Sequence, residues 1–83
     1  MPTVAIVEGV KIQFYANDHP PPHFHAEFGE YRAVFLIASL EIIRGSLPEA
    51  KRRAVVQWAS SRKDAMTATF VRAISKQRLE RLD

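Results

Sequence analysis

All three histidines of the chain lie in one short segment, which runs from Asn17 to His25. His23 and His25 are two residues apart, so on an extended strand their imidazoles point to the same side of the sheet. Imidazole titrates near neutral pH and is also a frequent metal ligand, so the pair is suited either to acid–base chemistry or to metal binding. This segment is the clearest indication of a functional site in the sequence.

The acid–base interpretation uses polar side chains that we expect on the same face as the two imidazoles. Cleavage of RNA by its own 2′-hydroxyl needs a base, an acid and a cation beside the phosphate, but no serine or cysteine nucleophile. The predicted catalytic residues are His19, His23, His25 and Glu27, with His23 or His25 as the acid or base. The predicted substrate- and phosphate-binding residues on this face are Lys11, Tyr15 and Arg32.

A metal site and a purely structural role are the alternatives for the same histidines. Two histidines separated by one residue on a strand chelate divalent ions, with Glu27 or His19 as a third ligand and water as a fourth. In the structural alternative, His19 bonds a backbone carbonyl while the other two imidazoles pack against neighbours or a second subunit. Our primary assignment contains no metal and no cofactor, and its alternative metal ligands are His23 and His25.

The first half of the chain predicts antiparallel strands, because β-branched and aromatic residues alternate there with polar ones. The predicted strands cover residues 4–7, 10–16, 23–28, 31–37 and 40–44. Glu8-Gly9 and Gly29-Glu30 separate neighbouring strands, and a glycine in a two-residue connection is typical of a tight hairpin. Gly29 comes first in its pair, as a type II′ turn requires.

Alternation along the strands predicts which side chains share a face. The turn at Gly29 places Glu27 opposite Arg32, and we expect Tyr15 opposite His23 on the next pair of strands. Both registers put the phenylalanines on one face and the histidines on the other. The same registers place four apolar residues on the histidine face: Val4, Ile6, Val34 and Leu36. We therefore expect a helix, a partner or a ligand to cover the flanks of this face.

The second half predicts helices. The segment Ser46-Leu47-Pro48-Glu49 has the spacing of a capping box, and apolar residues then recur at helical spacing. A polar run over residues 60–64 interrupts the apolar stripe, so we favour two helices over one long helix. From Lys76 to Asp83 the chain is expected to fray. The predicted fold class is α+β, an antiparallel meander of about five strands followed by one or two C-terminal helices packed on one face.

Length and composition limit the classes of protein. The chain has 83 residues, and we expect residues 1–83 to form a single domain. A homodimer would add buried surface to so short a chain. The absence of cysteine excludes disulfides, thiolate zinc sites and iron–sulfur clusters. No apolar run approaches a membrane span, and no basic segment precedes an apolar stretch at the N-terminus. We expect a cytoplasmic protein with no membrane partner.

Charge is unevenly distributed along the chain. Residues 1–45 have a net charge of −2, whereas residues 46–83 have +5. A basic half favours anionic partners such as RNA or other nucleic acid. The run Lys51, Arg52 and Arg53 at the start of the first predicted helix is a second candidate phosphate-binding site. The alternative is that these side chains only solvate the outer face of a helix.

Several short segments resemble one family of small bacterial proteins, catalogued as domain of unknown function number 4160. The segments are Met1-Pro2-Thr3, Asp18-His19, Pro21-Pro22-His23-Phe24-His25, Gly29-Glu30-Tyr31, Gly45-Ser46-Leu47-Pro48 and Trp58-Ala59. The resemblance covers nearly the whole chain. It departs in the last third, where the family tends to be more acidic and to carry another tryptophan near Phe70.

The resemblance implies a small bacterial protein, often encoded beside a second small family, domain of unknown function number 2442, in what looks like a toxin–antitoxin arrangement. No catalytic residue is established for the family, so none is transferred. We expect a toxin-like component that acts on RNA or translation, neutralised by a small partner protein on the flank at Val34 and Leu36. The alternative functions are a non-enzymatic DNA-binding or protein-interaction module and a small metal-binding protein.

Overall fold

The computed structural model describes residues 3–83, which form one five-stranded sheet and two helices. The strands are β1 Thr3–Val7, β2 Val10–Gln13, β3 His23–Phe28, β4 Tyr31–Leu36 and β5 Ile42–Gly45, and the helices are α1 Glu49–Ser60 and α2 Lys63–Ile74. Each strand pairs antiparallel with the next one along the chain, so the sheet is a meander. The predicted α+β fold is confirmed. Met1 and Pro2 lie outside the described residues.

The registers of the central strands follow the predicted alternation. Glu27 lies opposite Arg32 across β3 and β4, and Gln13 lies opposite His25 across β2 and β3. The expected pairing of Tyr15 with His23 is wrong, because β2 ends at Gln13 rather than at residue 16. The chain leaves the sheet there, and the backbone amide of residue 18 donates to the carbonyl of residue 15 at 3.2 Å, which closes a turn.

One face of the sheet and both helices share a single apolar core. Phe14, Phe24 and Phe35 are fully buried, and their rings belong to the same cluster as residues from both helices. The rings of Phe24 and Phe35 stack with centroids 4.9 Å apart across β3 and β4. Residues 23 and 25 alternate with Phe24, so burial of this phenylalanine directs the two imidazoles to the opposite face of the sheet. None of the helices in residues 3–83 has the length and apolar character to cross a membrane.

The edge strand β1 departs from the predicted alternation. A bulge between Thr3 and Ala5 shifts its register against β2, and Val4 and Ala5 are consequently both buried. The placement of Val4 on the histidine face is therefore wrong. Ile6 lies opposite Lys11 on that face, as predicted, with 49% of its surface exposed.

The predicted capping box does not form, and the helix begins at Glu49 rather than directly after Ser46. Pro48 occupies the N-cap position, and no side chain caps the first turn of α1. The carboxylate of Glu49 instead accepts two hydrogen bonds from the guanidinium of Arg52, at 2.9 and 2.6 Å. The predicted break between two helices is confirmed. At this break between the helices, the guanidinium of Arg62 donates to the carbonyl of Trp58 at 2.7 Å.

The segment after α2 is not frayed, contrary to the prediction. Leu82 donates its backbone amide to the carbonyl of Val4 at 2.6 Å, and the carboxylate of Asp83 accepts from the amide of Ile6 at 2.8 Å. Leu79 and Leu82 also pack against the core. The segment thus provides hydrogen-bond partners for backbone groups at the open edge of β1, which an isolated edge strand would present to solvent.

We predict that Gly45→Ala destabilises the protein by more than about 2 kcal/mol, because two costs combine. The residue has a φ of +75°, a conformation that costs a non-glycine residue about 1–2 kcal/mol. A methyl group there would also collide with the backbone carbonyl of Arg32. The free energy of unfolding from urea titrations measures the effect.

Gly29→Ala is the matched control. Gly29 also has a positive φ, of +57°, but a methyl group there would meet no atom within 4 Å. We expect this variant to lose only the conformational contribution, about 1 kcal/mol. Equal losses at the two positions would contradict the argument from the close contact at Gly45.

Candidate functional site

Three side chains from the histidine segment converge on one point. The carboxylate oxygen Oδ2 of Asp18 lies 2.9 Å from Nε2 of His25 and 3.2 Å from Nε2 of His23. Asp18 belongs to the turn that follows β2, whereas the two histidines lie on β3. We call Asp18, His23 and His25 the Asp–His cluster. The turn brings the acid next to the strand that begins five residues later.

His23 is held from two sides. Its Nδ1 lies 2.8 Å from the carbonyl oxygen of Pro21, and its ring packs against Phe70 of α2 with centroids 5.3 Å apart. Only 14% of its side-chain surface is exposed. Because it is the first residue of β3, His23 sits where the open face of the sheet meets the helices. The imidazole is therefore fixed in orientation, with Nε2 directed towards Asp18.

His25 lies on the open face and is more accessible, with 27% of its side-chain surface exposed. The ring of Tyr15 meets it edge to face, with centroids 4.3 Å apart. The hydroxyl of Tyr15 donates to Oε1 of Gln13 at 3.0 Å, which anchors the phenol ring. His25 is thus positioned by a hydrogen bond to Asp18 and by an aromatic contact, while part of its ring remains open to solvent.

Two shallow concavities meet at His25. One extends along the sheet towards Glu27 and Arg32, and the other extends over the loop of Asp18 and His19. Arg44, on β5 opposite Val34, lines both of them. A ligand that spans this surface would therefore contact the Asp–His cluster and a guanidinium together.

The structure places the remaining predicted residues of this face at different distances from the cluster. Arg32 forms an ion pair with Glu27 at 3.0 Å, and Lys11 lies opposite Glu27 in the register. The Arg32 side chain is 78% exposed, so this pair adds little stability and leaves the guanidinium accessible to a ligand. Tyr15 contacts the cluster directly. Glu27 pairs with Arg32 and is not a member of the Asp–His cluster.

His19 is exposed in the loop and lies outside the cluster, although it lines the concavity beside it. Sequence reasoning named Glu27 or His19 as the third group beside the two histidines, whereas the structure brings Asp18 there. The reason is the turn after β2, which reverses the chain within three residues and directs the carboxylate back towards β3. The segment Asp18-His19 indicates this turn in the sequence, since an acid preceding a proline run is a frequent turn residue.

Arg44 is the second residue that sequence reasoning did not place in the site. Its signal was the alternation of β5, which pairs Arg44 with Val34 and so puts it on the histidine face. The prediction lacked a register for this strand. A bulge between Val34 and Phe35 shifts the β4–β5 pairing, so alternation alone would have been unreliable here.

The basic run at the start of α1 lies with the helices and is partly engaged. Lys51 donates to the carbonyl of Glu8 at 2.8 Å, and its ammonium lies 4.8 Å from the centre of the Phe28 ring. Arg52 is paired with Glu49 in its own helix. Arg53 is exposed. Two of the three predicted phosphate-binding cations therefore already have partners within the protein.

Burial and the charges of neighbouring residues on the open face shift the pKa of Tyr15. Burial raises the pKa of its hydroxyl above the ordinary value of 10.0, and the charge of Glu27 raises it further. Arg32 opposes this shift, and Asp18 adds to it. Because the folded-state pKa is raised, this group stabilises the fold below its ordinary pKa. That contribution is lost as the pH rises through the folded-state value.

We predict that Glu27→Gln lowers the pKa of Tyr15 and that Arg32→Gln raises it. Removing a nearby negative charge favours the phenolate, and removing a positive charge disfavours it. The pKa should remain above the ordinary value of 10.0 in Glu27→Gln, because burial is the largest cause. Ultraviolet titration in a Tyr31→Phe background, with chelator present, isolates the signal of Tyr15. An unchanged midpoint in both charge variants would contradict this account of the face.

Comparison with known proteins identifies one sequence family. The family is described as "Domain of unknown function (DUF4160)", and its match covers residues 9–70. The match includes the Asp–His cluster and Arg44, and it ends within α2. A search of curated proteins and a search of solved structures found no match. Because the family match spans most of the chain and contains the specific histidine segment, this protein belongs to the family DUF4160.

Proposed function

We propose that this protein cleaves RNA at the open face of its sheet and is the toxin-like member of a two-protein bacterial module. The observation that carries the proposal is the hydrogen bond between Asp18 and His25 on a partly exposed face, with Arg44 lining the concavities on both sides. A carboxylate-supported imidazole is a proton acceptor, and the guanidinium is a cation for a phosphate.

The proposed reaction is attack by the RNA's own 2′-oxygen on the adjacent phosphorus. A bond forms between that oxygen and phosphorus, and the bond from phosphorus to the 5′-oxygen breaks. His25 accepts the 2′-hydroxyl proton at Nδ1, because Nε2 is bonded to Asp18. His23, whose Nδ1 is bonded to the Pro21 carbonyl, donates the proton of Nε2 to the leaving 5′-oxygen and gives up its contact with Asp18 in that step. Arg44 stabilises the extra negative charge on the phosphorane. The products are a 2′,3′-cyclic phosphate and a 5′-hydroxyl.

The toxin-like part of the proposal is supported by the gene arrangement that the family resemblance implies. A neutralising partner would need to cover the site, and apolar side chains flank it. Val34 and Leu36 are half-buried on this face, and Ile43 beside Arg44 is 55% exposed. An apolar flank next to the guanidinium groups of Arg32 and Arg44 suits a partner protein that carries both apolar and acidic residues.

We predict that the purified protein cleaves a single-stranded RNA oligonucleotide but not its 2′-deoxy counterpart, which lacks the attacking hydroxyl. His25→Ala and Asp18→Asn should lower the cleavage rate by about 10²–10⁴-fold, since they remove the proton acceptor and its support. Arg44→Gln should also lower it. Electrophoresis with end-group analysis for the cyclic phosphate measures the reaction.

Arg72→Gln is the matched control for Arg44→Gln, because it removes one exposed cation from α2 and should leave the rate unchanged. Equal cleavage of the RNA and 2′-deoxy oligonucleotides would contradict the proposed chemistry. A full rate in His25→Ala would contradict the assigned site.

In cells, we predict that expression of the protein alone inhibits growth and that co-expression of the neighbouring gene's product restores it. The Asp18→Asn variant should permit growth but still co-purify with that partner, because the apolar flank is intact. Growth curves and affinity co-purification measure the two properties separately. Undiminished growth inhibition by Asp18→Asn would exclude the cluster as the toxic site.

A further inference from the structure

The Asp–His cluster brings three possible metal-ligand atoms together. One nitrogen of each imidazole and one oxygen of Asp18 lie within 4.8 Å of one another. All three side chains are partly buried and each has a contact that limits its movement. The cluster is therefore an ordered set of three ligand atoms rather than a chance meeting of mobile surface groups.

The protonation of His23 follows from its backbone contact. The carbonyl oxygen of Pro21 is only an acceptor, so Nδ1 of His23 must carry the hydrogen of this 2.8 Å hydrogen bond. In the neutral ring, Nε2 then has a lone pair that faces the Asp18 carboxylate oxygen at 3.2 Å. Two acceptors at this distance repel each other unless a proton or a metal ion lies between them.

Metal-bound histidines typically show this arrangement. The ring nitrogen that does not bind the metal donates its hydrogen to a carbonyl or carboxylate, which fixes the tautomer and directs the other nitrogen at the ion. Pro21 plays that part for His23. The same cluster thus contains both the ligand atoms and one of the supporting contacts that a metal site requires.

The distances and ligand types favour a transition metal such as Zn²⁺. Zinc binds imidazole nitrogen at about 2.0–2.1 Å and carboxylate oxygen at about 2.0–2.2 Å, which places tetrahedral ligand atoms roughly 3.3 Å apart. The two nitrogen–oxygen separations of 2.9 and 3.2 Å need to widen only slightly to reach this value, and the two ring nitrogens lie within 4.8 Å of each other. Two nitrogen ligands disfavour Mg²⁺ and Ca²⁺, which prefer oxygen.

We propose that Asp18, His23 and His25 bind one divalent transition-metal ion and leave a fourth position open to solvent. The open position faces the concavity that Arg44 also lines, where a water molecule or a phosphate oxygen would complete the tetrahedron. Metal binding itself does not depend on RNA cleavage. The catalytic role of the ion rests on the proposed function. When bound, the ion would supply Lewis-acid chemistry beside a phosphate, with Asp18, His23 and His25 holding it.

The test uses untagged protein stripped with chelator and titrated with Zn²⁺ alone by calorimetry, then with Co²⁺ alone by visible absorption. We expect one ion per chain and a Co²⁺ spectrum typical of tetrahedral coordination. Asp18→Asn and His25→Gln should each bind Zn²⁺ at least about tenfold more weakly. Added Zn²⁺ should raise the melting temperature of the native chain, and these variants should show a smaller rise.

His19→Gln separates the assigned ligands from the neighbouring histidine, and it should keep the native affinity and stoichiometry. Circular dichroism of each metal-free variant establishes that it is folded before titration. Failure of the folded native chain to bind either ion would overturn the proposal, and so would an equal loss of affinity in His19→Gln and His25→Gln.

The outcomes also separate this inference from the proposed function. Zinc binding by a protein that never cleaves RNA supports the metal site and removes the RNA proposal. Cleavage that persists in chelator, by a protein that binds neither ion, supports the RNA proposal with His25 as the base and removes the metal site.

Discussion

Burial of Phe24 between the sheet and the helices is the constraint on which the site depends. Phe24 is fully buried and stacks on Phe35 of the neighbouring strand. Since successive side chains of a strand alternate in direction, this single anchoring residue directs His23 and His25 to the opposite face of the sheet. A shift of β3 by one residue would exchange the phenylalanine and the histidines. Two large rings exposed to water and two imidazoles in the core would then make the fold unfavourable.

The open face of the sheet carries exposed apolar residues beside its polar ones. The helices cover one face of the sheet, and the segment after α2 covers part of the β1 edge, yet the histidine face retains Ile6 and Ile43 at 49% and 55% exposure. Exposed apolar surface does not stabilise a short chain, and it often marks a site of interaction. The polar residues on the same face are organised by hydrogen bonds and an ion pair, so the surface is both ordered and accessible, as a binding site requires.

The proton and the metal ion are two solutions to the same electrostatic problem. His23 and His25 both direct Nε2 at one carboxylate oxygen, and His23 has already committed its other nitrogen to the Pro21 carbonyl. A proton on His23 gives an acid beside a supported base, which suits phosphodiester cleavage. A metal ion held by the cluster would supply a Lewis acid, which also suits phosphodiester chemistry. In both proposals Arg44 would be the cation beside the reacting group.

The amino-acid sequence by itself determined the order of the elements, the two hairpin turns, the face of β3 that carries the histidines and the break between the helices. These features follow from local alternation, from glycine at the turns and from the polar interruption at residues 60–64, none of which needs distant contacts. Only the tertiary structure decided that Asp18, rather than Glu27 or His19, meets the imidazoles, and that Arg44 joins them from β5. Bulges and a turn outside the ladder control those approaches, and their geometry depends on packing between strands that alternation does not encode.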